Sequence, residues 1–260
     1  MRDNKKLKWD EVQKFLKQPF ESFTIPEIKL IALKEATASF IASGETDRAL
    51  AFASQVLSGS AVSKDKKIDD HSDFLAVVGM ELFKAQKIEA SKQILDSIRT
   101  RYTSAPTTPV SPFAAAFFTL ADKDKPLPFT LAKDSNNDAD LLCLLCVNLA
   151  NDKLDDLIGS ANFKNFDGVL RLNLLTKVAF LASILGKDIP ILKEELNRII
   201  SEGVMPNLDS VQSYLFLSVI SPSLKVSSDS WIKTADKVPQ ALKDFKLIKS
   251  RFLMASFLAK

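Results

Sequence analysis

Two cysteines and one histidine are the first residues to test for chemistry. Cys143 and Cys146, in "CLLC", have the spacing of a metal-binding or redox pair. A four-ligand zinc site needs two further ligands, and the chain holds a single histidine, His71. A thioredoxin-like use of the pair needs a strand–helix–strand setting. Leu141, Leu142, Leu144, Leu145 and Val147 flank the cysteines instead. That setting predicts two free thiols packed in a core, where cysteine behaves as a small hydrophobe. His71 stands among Asp69, Asp70 and Asp73. The cluster has the residue types for acid–base work, but no nucleophile lies beside it, so it reads as a solvated loop.

The remaining polar clusters are weaker. "SGSAVSKDKK" lacks the Gly-Lys-Ser/Thr ending of a phosphate loop. "KKIDDHSD" lacks the spacing and the turn glycine of a calcium loop. Asp152, Asp155 and Asp156 in "NDKLDD" fit acids that complement the start of a helix. The expectation is a protein with no catalytic, cofactor-binding or metal-binding residues, and not an enzyme.

The elements that carry these residues read as helical. The 260 residues are 46% hydrophobic, with 7 Gly and 11 Pro, a composition that disfavours a turn-rich β fold. Trp9, Val12 and Leu16 mark one face of a short helix. In "FTIPEIKLIALKEATASFIASG", Thr24 and Glu27 form a capping-box pattern and Gly44 offers a C-terminal stop. A second helix follows "GETD", giving an antiparallel hairpin. After the polar stretch "LSGSAVSKDKKIDDHSD" the layout recurs. "FLAVVGMELFKA" is a helix, "QKIE" a turn and "ASKQILDSIRTRY" a helix. Gly44 aligns with Gln86, 42 residues on; Thr37 aligns with Gly79, and Ala49 with Ser91. Small residues at these positions predict close backbone approach where hairpins stack.

Thr103 to Thr130 breaks the rhythm with five prolines around "SPFAAAFFTLA", where Ser111 and Pro112 suit the start of a short apolar helix. Helices are expected again over 138–151, 153–161, 166–185, 189–202, 208–220, 228–238 and 239–260. The expected organisation is N-terminal hairpin repeats over 1–102, a Pro-rich irregular joint over 103–137, and C-terminal helical repeats over 138–260.

The small residue in the first helix, the aromatic or leucine three positions on, the tight turn and the alanine of the second helix resemble tetratricopeptide repeats. "RIISEGVMPNLDS" resembles the ending of their pentatricopeptide relatives. The tryptophan of the tetratricopeptide signature is absent, and 42 residues exceed the usual ~34. The resemblance implies an all-α fold, a right-handed α-solenoid of stacked antiparallel hairpins. It also implies a scaffold or adaptor that binds protein partners as a subunit of a larger assembly. An RNA-binding pentatricopeptide-like protein is the alternative.

Charge divides unevenly. Residues 1–110 carry 17 basic and 15 acidic side chains, 111–223 carry 10 and 14, and 224–260 carry 8 and 3. In the basic last segment, Lys243, Lys246 and Lys249 lie at three-residue steps. Phe252, Leu253, Met254, Phe257 and Leu258 follow. Lys243, Lys246, Lys249, Phe252, Phe257 and Leu258 are the expected protein-interaction residues. The N-terminal twenty residues lack the apolar core of a secretory signal, and their acids argue against a mitochondrial presequence. The longest uninterrupted apolar runs, "FAAAFFTLA" and "LLCLLCVNLA", fall short of the ~18–20 residues of a membrane span. These features point to an intracellular protein, cytoplasmic or nuclear, without a membrane span.

Overall fold

The computed structural model describes residues 26–59, 70–105, 110–123, 127 and 138–202. The fold is all-α; among the described residues there are ten helices and no strand. They are α1 (Pro26–Ala42), α2 (Thr46–Gly59), α3 (Asp70–Lys84), α4 (Ile88–Ser104) and α5 (Pro112–Ala121). Then come α6 (Asp138–Ala150), α7 (Leu154–Ile158), α8 (Ala161–Lys164), α9 (Gly168–Leu185) and α10 (Pro190–Glu202). The expected helices near Trp9, over 208–220, 228–238 and 239–260, and the Thr24 cap, lie outside the described residues.

Four of the interhelical turns share one backbone solution. A single residue turns left-handed after α1, α3, α6 and α9: Gly44 (φ 76°), Gln86 (φ 60°), Asp152 (φ 59°) and Gly186 (φ 65°). In each turn the next amide reaches back five residues. Glu45 N donates to Phe40 O (2.9 Å), Lys87 N to Leu82 O (2.9 Å), Lys153 N to Asn148 O (2.8 Å), and Lys187 N to Ala182 O (3.0 Å). These bonds satisfy carbonyls that the helix end leaves open. Gln86 therefore does take the backbone position of Gly44, in a conformation that a side chain disfavours.

Helix α3 is the hub. It packs against α1, α2, α4, α5 and α9. From Phe74 to Leu82 every residue is buried. Such all-round burial needs an apolar surface on every side, interrupted only by Gly79 and Glu81. At Gly79 the approach is close. A Cβ there would lie 2.4 Å from Phe117 Cε1 and 3.1 Å from Ile94 Cγ2, so glycine is what lets the α5 ring enter. Ser91 Oγ, on α4, donates to the Gly79 carbonyl at 3.0 Å and ties the hairpin at the same level.

The stretch 103–137 carries a core helix. Pro112 to Phe118 of α5 are all buried, α5 packs on α3, α4 and α6, and Phe113 meets Phe180 of α9 at 5.8 Å. Ser111 caps α5, as its position before Pro112 suggests; its Oγ accepts from Ala114 N at 3.1 Å. One expected helix is corrected. The span 153–161 divides into α7 and α8, because α7 ends at Gly159 and Ser160 starts the next turn, its Oγ accepting from Phe163 N (3.2 Å). Helix α9 has 18 residues and is the one described helix long and apolar enough to cross a membrane by length and composition. More than half of it is buried within the protein. Arg171, Asn173, Thr176 and Lys177 interrupt its apolar run, so no unbroken apolar stretch marks it in the sequence.

Candidate functional site

The cysteine pair and the histidine cluster meet at one place. Asp73 leaves α3 and reaches the start of α5. Its Oδ1 accepts a short hydrogen bond from Ser111 Oγ and a second from Phe113 N at 3.0 Å. Tyr102 OH, from α4, accepts from Ser111 N at 2.8 Å. A carboxylate beside exposed amides at a helix N-terminus is a favourable electrostatic arrangement. Ser111 Oγ thus accepts within its own helix and donates a hydrogen bond to Asp73. Fully buried, it serves as a cap and not as a nucleophile. Asp73 was read from sequence as part of a solvated loop around His71. The structure corrects this: Asp73 is a half-buried strut between α3 and the start of α5, and His71 is half-buried in the first turn of α3. Asp69 lies outside the described residues.

Cys143 and Cys146 are buried and free on α6. Cys143 Sγ approaches the Val110 carbonyl at 3.7 Å. Burial, then the charges of Asp73 and Asp140, push the Cys143 thiol up to about 12. Burial, with smaller effects of Cys143 and Asp73, pushes Cys146 well above its ordinary value. Both thiols stay protonated at neutral pH and are poor nucleophiles and poor ligands. Among the described residues, no group of three or more His, Cys, Asp or Glu is arranged to hold a metal.

Three charged clusters could not be read from sequence. Lys187, just past the α9 turn, donates from Nζ to Leu149 O (2.8 Å), Ala150 O (3.2 Å) and Asp152 Oδ1 (2.6 Å). A cation on the last carbonyls of α6 complements that helix end and clasps two turns together. Glu195 of α10 joins Arg171 of α9 (3.0 Å) and Arg198 (2.5 Å). Burial pushes the Glu195 carboxyl upward, but hydrogen bonds and charge from Arg198 and Arg171 outweigh it and hold it below its ordinary value. Glu81 on α3 is the opposite case. It is 4% exposed, its Oε1 has no hydrogen-bond partner, and Lys84 is 3.9 Å from Oε2. Burial raises its carboxyl above the usual range despite Lys84 and Lys34.

Asp155 and Asp156 are exposed in the first turn of α7, where the helix dipole accounts for them. Lys243, Lys246, Lys249, Phe252, Phe257 and Leu258 lie outside the described residues. Comparison with protein-family models, with curated proteins and with solved structures finds no match.

Proposed function

We propose that this chain is a non-catalytic helical-repeat scaffold that binds protein partners as a subunit of a larger assembly. The observation that carries this reading is the recurrence of one hairpin turn. Gly44 and Gln86 are 42 residues apart, Asp152 and Gly186 are 34 apart, and all four turn with the same backbone and the same reach-back bond. The second interval has the ~34-residue length of a tetratricopeptide repeat but holds three helices, α7, α8 and α9, where that repeat has two. Repetition of a packed hairpin is how solenoids extend a binding surface without adding reactive groups. Stacked as a right-handed α-solenoid, these hairpins would present a groove to a helix or an extended peptide. The basic, apolar C-terminal segment is the proposed contact, through Lys243, Lys246, Lys249, Phe252, Phe257 and Leu258.

The experiment is affinity capture from cell extract with and without nuclease, then titration of the purified partner. A protein partner that survives nuclease, binds saturably, and is weakened by charge reversal of Lys243, Lys246 and Lys249 supports the reading. Loss of all partners on nuclease treatment replaces it with the pentatricopeptide-like, RNA-binding alternative.

A further inference from the structure

Glu81 lies on α3, the helix that receives the hairpin α1–α2. The hairpin α1–α2 packs onto the rest of the described protein chiefly through α3. Two buried polar groups, one on α1 and one on α3, lack a hydrogen-bond partner. Thr37, fully buried on the Leu30–Leu33 face of α1, has no hydrogen-bond partner for Oγ1. Glu81 Oε1, buried on α3, has none either. Of the two lysines on α1, Lys29 and Lys34, the one that acts on Glu81 is Lys34, and it is held by its neighbour Glu35 at 2.9 Å. The charges that act on Glu81 are Lys84 on its own helix and Lys34 and Glu35 on α1. The other helices against α3 carry Asp47 and Arg48 (α2), Glu89, Lys92, Asp96, Arg99 and Arg101 (α4), and Arg171 and Lys177 (α9); α5 has no charged residue. None of these is among the charges that shift Glu81.

An ionised carboxylate buried with an unpaired oxygen carries a desolvation cost that a neutral carboxyl avoids. We propose that the joint between the N-terminal hairpin and α3 is proton-sensitive: it closes more tightly when Glu81 holds a proton and loosens when Glu81 ionises. The sign follows from burial. A carboxyl raised in the folded state gives its full contribution below its unfolded value and loses it as pH rises through the folded value. Loosening is local because α3 keeps its other neighbours, α4, α5 and α9, when α1 and α2 shift.

The test is amide hydrogen exchange of the full chain and of Glu81→Gln, compared at the same pH so that intrinsic exchange rates cancel. At pH 7.5 the variant should slow exchange in α1 and α2 by roughly tenfold, the size of one unsatisfied buried polar group. At pH 4.5 the difference should shrink. Equal exchange of the two proteins at pH 7.5, or slowing spread evenly over all helices, would overturn the proposal. So would a Glu81→Gln chain that fails to fold, since it would mean the charge is required. Lys84→Met provides an independent arm. Removing the nearest cation should speed exchange in α1 and α2 at pH 7.5 with the other helices unchanged, and an unchanged rate contradicts the joint.

Discussion

The hairpins α1–α2 and α3–α4 follow one pattern, 42 residues apart, and differ at the positions where the pattern is tightest. In α3–α4 the pair is Gly79 and Ser91. The glycine admits the Phe117 ring, and the serine hydroxyl binds the glycine carbonyl at 3.0 Å. In α1–α2 the same positions hold Thr37 and Ala49, both fully buried. Here the hydroxyl has moved to the first helix and finds no partner, while the alanine has none to offer. Both hairpins therefore keep small, buried residues at these two positions and differ in their hydrogen bonding. At this pair of positions the hydrogen bond is made in the hairpin at the centre of the core and is absent from the hairpin at the end of the described helices.

Substitutions at these positions break or sharpen the contrast. Gly79→Leu should have the largest effect. Its Cβ alone would meet Phe117 at 2.4 Å, so overpacking should cost about 3 kcal/mol, read as a loss in chemical denaturation. Thr37→Leu is the matched change at the partner-poor position and should cost clearly less. Thr37→Val should stabilise by about 1 kcal/mol, because it removes an unpaired buried hydroxyl of nearly the same shape. Ser91→Ala should do the reverse and lose about 1 kcal/mol with its hydrogen bond. If Thr37→Val and Ser91→Ala shift stability in the same direction, the polar contrast between the copies is void. The turns give the smallest effects. Gln86→Gly should stabilise by roughly 0.5–1 kcal/mol and Gly44→Ala should destabilise by a similar amount, since both positions are left-handed.

The two buried glutamates extend the comparison to pH. Glu81, raised by burial, favours the fold while protonated and loses that contribution as pH rises. Glu195 favours the fold while ionised, because Arg198 and Arg171 hold it below its ordinary value, and loses that contribution as pH falls through its folded value. Denaturation of Glu81→Gln and Glu195→Gln against pH should therefore show opposite slopes relative to wild type. Parallel slopes would contradict the two environments.

Legibility from sequence followed the range of the interaction. The α3–α4 hairpin, the Ser111 cap and the burial of Cys143 and Cys146 rest on residues close in the chain, and their spacing exposed them. Gly79 was legible as a close-approach residue through its alignment with Thr37, although its partner Phe117 was not. The Asp73 bond to Ser111 spans 38 residues and the Lys187 clasp spans 35 to 38, so no local pattern signals either one. Asp73 read as loop because its neighbours are acidic, while its role comes from a helix start elsewhere. Asp152 was hidden for a different reason: a left-handed turn is advertised by glycine, and aspartate can also adopt it. The proposed binding residues near the C-terminus rest on sequence alone.

The central claim is that Gly79 is the stacking contact at which one hairpin admits the next helix. A double-mutant cycle between Gly79→Ala and Phe117→Leu tests it most directly. The claim predicts that Phe117→Leu relieves the alanine clash, with a coupling of about 1 kcal/mol or more between the two sites. Strictly additive losses would show that the ring and the glycine do not meet, and would contradict it.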